Sequence, residues 1–301
     1  MKKYAAIDIG TNSMRLLLAG IEENSIIHRT KEINTTRIGQ AVDQGGFITE
    51  EGMERNLQAF QDFVKKAKEY GVEKIFAIAT SAVRDAKNGG DFVQAAFDET
   101  GILIEVLTGK QEAEMGYRGV LMGLENSDVE TLVIDIGGGS TEFILGKGTD
   151  LQERISENVG AVRITERIGE EGELQETVEK IMKTTFNRLK KKKIQQLIGI
   201  GGTITTLAAL HQELDPYDME KVHNYSLGLK DINSIKEKLT GLTIEERKKL
   251  KGLHPKRADI IVAGVAILQA IMKNLAITSI TVSEYDNLEG LMYKNLQLTI
   301  L

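Results

Sequence analysis

The 301-residue sequence contains no cysteine, which excludes disulfide bonds and zinc sites with thiolate ligands. Its four histidines form no cluster with the spacing of metal ligands, so a zinc hydrolase is not expected. No Ser-His-Asp arrangement is readable, and a thiol nucleophile cannot exist without cysteine. These absences remove the common zinc, serine and cysteine hydrolases from consideration.

Long hydrophobic runs are also missing. The longest uncharged apolar stretch, IIVAGVAILQAIM from Ile260, has 13 residues, which is too short to span a bilayer and predicts a buried core helix. Lys2 and Lys3 precede an apolar segment, but Asp8 and Arg15 interrupt it, so a signal peptide is not indicated. We expect a soluble, cytoplasmic protein with no membrane partner.

The sequence has a net charge of -6, which argues against a nucleic-acid partner because general nucleic-acid binders are usually basic. The basic residues are nevertheless concentrated in two segments, a run at 190–193 and RKKLKGLHPKR at 247–257. These segments are interpreted either as solvated helix ends or as a local basic surface that guides an anionic substrate.

A sequence pattern occurs twice. AAIDIGTNSMRLLL begins at Ala5 and VIDIGGGSTEFIL begins at Val133, and their aspartates, Asp8 and Asp135, are 127 positions apart. Each copy predicts two strands around a turn and opens an α/β half, so one domain architecture is used twice. A dinucleotide-binding fingerprint does not fit, because the glycines of the second copy lie between two strands rather than between a strand and a helix.

Helical spacing follows in both halves. Thr49 is predicted to cap a helix that ends at Gly71. In the second half, a single long helix is predicted, with one apolar face formed by Leu174, Val178, Ile181 and Leu189. The segment QQLIGIGGTITTLAAL predicts a strand, a glycine turn and a helix.

The glycine turns can bind anions, because backbone N–H groups converge where no side chain blocks the approach. One Asp-Ile-Gly alone is compatible with a simple hairpin turn, but two copies and a third glycine turn together indicate phosphate binding. The candidate phosphate-binding residues of the three turns are Thr11, Asn12 and Ser13; Gly137, Gly138, Gly139, Ser140 and Thr141; and Gly201, Gly202 and Thr203. Hard oxygen ligands that suit Mg²⁺, or alternatively Mn²⁺, are Asp8, Asp135 and Glu142.

These loops resemble the phosphate-binding loops of the actin, sugar-kinase and Hsp70 fold. The resemblance implies an α/β protein with two duplicated actin/sugar-kinase/Hsp70-like (ribonuclease H-like) domains and an interdomain cleft, which we expect to open and close. The expected domains are 1–124, with the C-terminal helix at about 288–301 packing back on it, and 125–287. The fold alone does not choose a reaction.

Further motifs cover nearly the whole chain. They are ATSAVRDAKNG (79–89), TGKQEAEMGYRGV (108–120), NVGAVRITERI from Asn158, IGIGGTITTLAAL from Ile198, KVHNYSL from Lys221 and KRADIIVAGVAIL from Lys256. Together with the two loops they resemble the exopolyphosphatase and guanosine pentaphosphate phosphohydrolase (Ppx/GppA) family. The chain is similar to its short two-domain members, so we do not expect the processive handling of very long chains that is typical of members with extra C-terminal helical domains.

The resemblance implies a role for several residues. Glu112 takes the position of the general base that activates water, and Arg84 that of an arginine holding phosphoryl oxygens. Arg15 stands where some relatives carry an arginine near the phosphates, although its placement is equally compatible with another direction. Positions linked to metal or water in the family are taken by Asp135 and Glu142, and Asp8 is a metal partner through water. His223 is expected to be structural.

Three positions depart from the family pattern. Gln111 replaces a glutamate that often precedes the general base, Glu114 replaces a residue that is often basic, and Leu288 stands where relatives often have arginine. The first departure is expected to alter the local field, and the last removes a substrate contact.

The leading hypothesis is metal-dependent release of the terminal phosphate of inorganic polyphosphate, with guanosine pentaphosphate as the second substrate. An ATP-dependent kinase of the same fold remains an alternative, as does a protein that binds polyphosphate or guanosine tetraphosphate without turnover, or a filament protein. The sequence leaves the oligomeric state open, a homodimer included.

Overall fold

The computed structural model describes residues 1–124, 128–169 and 173–299. The chain forms two compact units: the first contains Met1–Met122 and the chain from Asp286 onward, and the second contains Gly123–Tyr285. Residue 125, the predicted start of the second domain, lies outside the described residues. Among the helices described, none combines the length and the apolar character that a membrane crossing needs.

The first unit is built on a mixed sheet. Its strands are β1 (Lys2–Ile9), β2 (Met14–Glu22), β3 (Ser25–Asn34), β4 (Lys74–Ala79) and β5 (Ile104–Val106). Their order is β3-β2-β1-β4-β5, with β1 to β3 antiparallel and β1, β4 and β5 parallel. Both central strands, β1 and β4, become buried toward their carboxyl ends, where the polar turns follow.

Five helices belong to this part of the chain: α1 (Val42–Gly45), α2 (Glu50–Tyr70), α3 (Ser81–Asp85), α4 (Gly89–Thr100) and α5 (Gly109–Met122). The predicted boundaries of α2 are confirmed: Thr49 accepts a hydrogen bond from Gly52 N, and Gly71 ends the helix at φ 80°. Glycine fits this left-handed conformation because it has no Cβ to clash with the backbone.

The second unit repeats the arrangement with one added strand. Its strands are β6 (Thr131–Ile136), β7 (Thr141–Lys147), β8 (Asp150–Glu157), β9 (Gln196–Ile200), β10 (Ser226–Gly228) and β11 (Ser279–Val282). The order is β10-β11-β9-β6-β7-β8, so β8-β7-β6-β9-β11 reproduces the sequence of strands in the first sheet. The duplication predicted from the sequence is therefore present in the topology.

The helices of the second unit are α6 (Ala161–Ile168), α7 (Leu174–Ile181), α8 (Lys183–Leu189), α9 (Gly201–His211), α10 (Met219–Val222), α11 (Leu229–Thr240), α12 (Ile244–Arg247) and α13 (Ile261–Asn274), with a 3-10 turn at Pro255–Arg257. The apolar segment that includes α13 is buried from Ile261 to Met272, as the sequence predicts. Its buried apolar residues belong to the unit's hydrophobic core.

The last helix, α14 (Asn287–Leu296), belongs to the first unit. It packs against α5 with very small separation, because a Cβ built on Gly119 would overlap the Asp286 carbonyl oxygen, and one built on Gly290 would overlap that of Met115. Glycine at these two positions allows the backbones of the two helices to touch.

The prediction of one long helix through Leu189 is wrong. The helix breaks at Met182, whose ψ of 7° leaves the helical range, and β-branched Thr184 and Thr185 follow directly. Ile181, predicted on the apolar face, is 39% exposed, and fully buried Met182 takes its place against the core.

Candidate active site

In the turn between β1 and β2, the backbone carbonyl groups of residues 11–13 all accept hydrogen bonds from backbone N–H groups. Gly10 N donates to Ser13 O (3.1 Å), while Gly39 N donates to Thr11 O (2.9 Å) and Arg37 N donates to Asn12 O (2.9 Å). Within the described ranges, the backbone N–H groups of residues 11–13 have no hydrogen-bond partner. This turn, hereafter loop 1, therefore presents three adjacent donors that suit a phosphate group.

The turn between β6 and β7, hereafter loop 2 (residues 137–140), has the same hydrogen-bond pattern. Gly137 N donates to Ser140 O (3.0 Å), and its carbonyls are again taken: Val162 N donates to Gly138 O (2.8 Å) and Arg163 Nε to Gly139 O (2.6 Å). In the part of the chain that the structure describes, the N–H groups of residues 138–140 are unpaired. The Thr141 hydroxyl, by contrast, donates to Val159 O (2.5 Å).

The third glycine turn joins β9 to α9. Gly201 has a φ of +87°, and a Cβ there would overlap Asp135 Oδ1, so glycine is required for two reasons. A Cβ on Gly202 would overlap the Arg257 guanidinium, which packs against this residue. Thr203 is buried in the first turn of α9. The turn thus brings a helix N-terminus, Asp135 and Arg257 together.

Corresponding strand positions differ in charge between the two units. Asp8 of β1 pairs across the strands with Arg15 of β2, whereas Asp135 of β6 pairs with Glu142 of β7. The first pair combines opposite charges, and the second combines two carboxylates.

Arg15 binds two carboxylates within the first unit. Its Nη2 donates to Asp8 Oδ2 and its Nη1 donates to Asp286 Oδ2 at 2.7 Å. Burial raises the pKa of Asp8, and the neighbouring guanidinium offsets part of that shift. The other carboxylate oxygen, Asp8 Oδ1, is buried and has no hydrogen-bond partner among the described residues. It is available to accept from water.

The network continues through α14. Lys31 Nζ lies 3.3 Å from Asp286 Oδ2 and 3.0 Å from Glu289 Oε2, and Arg29 donates to Glu289 Oε1 at 2.9 Å. Burial alone would raise the pKa of Asp286, but the positive charges of Arg15 and Lys31 outweigh it and lower the pKa to about 2. Three acidic and three basic side chains thus balance each other.

Glu112 and Arg84 meet at the carboxyl ends of β4 and β5. Arg84 belongs to α3, which follows β4, and its Nη1 donates both to Glu112 Oε2 (3.1 Å) and to Leu107 O (3.0 Å). Glu112 lies in the first turn of α5 and is only 6% exposed. The structure thus brings together the two residues that the family resemblance assigns to catalysis.

Gln111 has a structural role that the sequence did not suggest. Its Oε1 accepts hydrogen bonds from Thr108 N (2.9 Å) and Thr108 Oγ1 (2.7 Å), while Gln111 N donates to Thr108 Oγ1 (3.3 Å). This reciprocal pattern is a capping box that closes the N-terminus of α5. It fixes the helical turn that carries Glu112.

The second unit places two of the predicted metal ligands, Asp135 and Glu142, directly across from each other. Asp135 and Glu142 are both buried on adjacent strands, and Glu142 Oε1 accepts a hydrogen bond from Ser156 Oγ at 2.7 Å. Within residues 1–124, 128–169 and 173–299, no group of three or more His, Cys, Asp or Glu side chains forms a metal cage. Mg²⁺ commonly binds through one or two carboxylates plus waters and substrate phosphates, so these two residues fit it.

The remaining positions have structural contacts. Leu288 is fully buried, and Glu114 lies 3.9 Å from Arg118 on the surface of α5. His223 Nδ1 accepts from Glu284 N at 3.3 Å. Arg247 of the second basic segment is buried, and its Nε donates to Leu239 O at 2.7 Å, so it does not extend a basic surface.

Four side chains that contact these residues were not among the predicted site residues: Arg257, Lys31, Asp286 and Glu289. Arg257 lies in the motif KRADIIVAGVAIL, but nothing local indicates that it packs against Gly202. Asp286 and Glu289 had a readable signal, because Asp-x-x-Glu before an apolar run is the pattern of a helix capping box.

The two sheets of equivalent strand order, each with a glycine turn after its first strand, define an actin-like fold used twice. Residues 18–299 match the model of the Ppx/GppA phosphatase family. The chain belongs to this family, and the predictions of the family and of two duplicated actin-like α/β domains are confirmed.

Individual relatives agree with this assignment. The chain is 37% identical over 312 residues to the bifunctional 3-dehydroquinate synthase/phosphatase of Fusobacterium nucleatum, covering 97% of this chain and 46% of that protein. It is 32% identical over 318 residues to exopolyphosphatase 2 of Mycobacterium tuberculosis, covering 97% and 98%. A crystal structure of an exopolyphosphatase from Cytophaga hutchinsonii matches with a TM-score of 0.91 and 29% identity, covering 99% of both chains.

The chain thus spans less than half of the Fusobacterium protein and nearly all of the Mycobacterium one. The family and these relatives confirm the prediction that the protein is a phosphoanhydride hydrolase.

Proposed function

We propose that the protein is a Mg²⁺-dependent exopolyphosphatase that removes the terminal phosphate of inorganic polyphosphate by direct attack of water. The observation that carries the proposal is the contact of Arg84 with buried Glu112 in a unit whose loop 1 presents three unpaired N–H groups. A phosphoanhydride chain supplies the anionic oxygens that such donors bind. The exopolyphosphatase names of two relatives support the choice of polyphosphate.

Glu112 acts as the general base in this proposal. Its carboxylate takes a proton from water as the water oxygen bonds to the terminal phosphorus, and the bridging P–O bond breaks to release orthophosphate and a shortened chain. Arg84 is held on one side by Leu107 O and Asp85, so its guanidinium is positioned to stabilise negative charge on phosphoryl oxygens.

Binding is assigned to the two loops. The N–H groups of loop 1 and loop 2 hold phosphoryl oxygens without side-chain rearrangement, because their carbonyls are fixed by backbone and arginine donors. Asp135 and Glu142 would hold Mg²⁺, with Mn²⁺ as the alternative, and Asp8 would accept from a water through Oδ1. The bound cation would neutralise charge on a phosphoryl group held at loop 2.

The test is phosphate release by the purified protein with Mg²⁺ from three substrates: inorganic polyphosphate, guanosine pentaphosphate and ATP. The proposal expects the highest kcat/KM with polyphosphate. If kcat/KM is higher with guanosine pentaphosphate, that nucleotide and not polyphosphate is the preferred substrate. If phosphate is released from neither polyphosphate nor guanosine pentaphosphate, the proposed activity is contradicted. A Glu114→Gln variant serves as a matched control, because Glu114 is on the same helix as Glu112 but is only half-buried and lies 3.9 Å from Arg118.

A further inference from the structure

The Arg15 guanidinium is held in a position that the family resemblance does not predict. The resemblance implies that some relatives carry an arginine near the phosphates here and leaves the direction of Arg15 open, whereas the Arg15 side chain is 18% exposed and bridges two carboxylates, Asp8 and Asp286. Asp8 lies near the end of the strand that leads into loop 1, and Asp286, 271 positions after Arg15, caps the start of α14.

Asp286 is a rigid anchor because nearly every polar atom it has is fixed. Its N donates to Glu289 Oε2 (3.0 Å), its carbonyl oxygen accepts from Gly290 N (2.9 Å), and its Oδ1 accepts from Leu288 N (2.9 Å). Its carbonyl also touches α5 at Gly119. Its Oδ2 faces the basic side chains of β2 and β3, where it meets Arg15 and Lys31.

We propose that Asp286 is a positioning residue for substrate binding, which acts through Arg15 to fix Asp8 and loop 1. A planar guanidinium can hold two carboxylates at once, so the anchored Asp286 fixes the position of Arg15, and Arg15 fixes the end of β1. Phosphate then binds to the N–H groups of loop 1 and not to Arg15. The inference rests on the proposed function for its choice of polyphosphate as the ligand.

The decisive variant is Asp286→Asn. Asparagine caps helices as well as aspartate does, so the contact with Leu288 N is kept while the charge facing Arg15 is removed. The control is Glu289→Gln, which keeps an oxygen to accept from Asp286 N but removes the negative charge that faces Arg29 and Lys31, and Glu289 makes no hydrogen bond or ion pair with Arg15. A purely structural network would respond to both substitutions.

The measurement is the dissociation constant of fluorescently end-labelled inorganic polyphosphate, taken in a Glu112→Gln background so that the chain is not consumed. Asp286→Asn is expected to raise it about tenfold, because a displaced loop loses aligned donors. Glu289→Gln is expected to change it less than about twofold, since the contact of Arg15 with Asp8 beside loop 1 is kept. In the catalytically intact background, KM should rise with Asp286→Asn while kcat changes little.

The direction of the change in the dissociation constant distinguishes this proposal from direct binding of phosphate by Arg15. If Arg15 binds phosphate directly, Asp286→Asn releases it and the dissociation constant falls, which overturns the proposal. An unchanged constant, or an equal effect of Glu289→Gln, also overturns it. In an Arg15→Gln background, Asp286→Asn should not change the dissociation constant further. If the two substitutions instead change the constant by independent factors that multiply, the proposed coupling is contradicted.

Arg15→Lys provides a second route if Asp286→Asn does not fold. Lysine keeps the charge but cannot hold two carboxylates with one planar group, so the same rise is expected, and a wild-type constant contradicts the proposal. If the wild-type protein binds polyphosphate but releases no phosphate, only the proposed function is contradicted. If the wild-type protein binds no polyphosphate, both the proposed function and the role of Asp286 are contradicted.

Discussion

Arg15 and Glu142 occupy corresponding positions in the two units, each directly across from the aspartate that precedes its loop. In the first unit the aspartate faces a guanidinium, and in the second it faces another carboxylate. The duplicated architecture has therefore kept its backbone pattern while its charges have diverged. The two loops share a backbone hydrogen-bond pattern, and beside the second lie two adjacent carboxylates, the kind of oxygen ligands that Mg²⁺ uses in proteins.

This difference predicts where metal binds. Glu142→Gln should weaken Mn²⁺ binding in the presence of orthophosphate by about tenfold or more, because one of two anionic ligands is lost. The binding is measured by the loss of the free Mn²⁺ signal in electron paramagnetic resonance. Glutamine keeps an oxygen that can accept from Ser156 Oγ, so the local packing is retained.

Glu153→Gln is the control for that measurement. Glu153 is a buried carboxylate on β8 of the same sheet, but it pairs with Lys192 at 2.8 Å and with Arg188. Its substitution should leave Mn²⁺ affinity unchanged. Wild-type affinity in Glu142→Gln, or equal losses in both variants, contradicts the assignment of the cation to Asp135 and Glu142.

Gly201 should tolerate no side chain. Gly201→Ala is expected to lower the free energy of unfolding by about 1–3 kcal/mol, because alanine is strained at φ +87° and its Cβ would displace Asp135. The measurement is the midpoint and slope of urea unfolding. Gly90→Ala, in an exposed and open position of α4, should instead raise stability by about 0.5 kcal/mol. Equal shifts in the same direction are incompatible with this account.

The capping role of Gln111 predicts that its replacement by glutamate, which relatives often carry, has only a small effect on stability and turnover. Gln111→Glu keeps an acceptor for Thr108 N and Oγ1, and a negative charge is favourable in the first turn of a helix. We expect an unchanged or higher Tm and a kcat within about threefold of wild type. Gln111→Leu removes the acceptor and should cost about 1 kcal/mol of stability. A tenfold loss of kcat in Gln111→Glu means that the local field at Glu112 is the dominant effect.

Local patterns predicted much of the fold. The two strand–turn–strand repeats, the helix from Thr49 to Gly71 and the buried helix at 261–274 follow from residues that are neighbours in sequence. Loop 1 and loop 2 were readable for the same reason, because small residues and glycine directly follow an apolar strand.

Long-range contacts were not readable. Arg15 meets a partner 271 positions away, and neither residue's local pattern indicates the other. The break at Met182 was missed because apolar spacing continues through it: Leu174, Val178 and Met182 lie on one face although the backbone between α7 and α8 is not helical. The single-sequence pattern therefore located the candidate phosphate-binding turns but not the side chains that hold them in place.

The most direct test of the central claim is the kcat of Glu112→Gln with inorganic polyphosphate, compared with wild type and with Glu114→Gln. Glutamine keeps the size of the side chain and an oxygen for Arg84 Nη1, but it cannot take a proton from water. We predict that kcat falls by about 10²–10⁴-fold in Glu112→Gln, with KM and Tm close to wild type, while Glu114→Gln keeps wild-type turnover. A Glu112→Gln protein that releases phosphate at the wild-type rate contradicts the account.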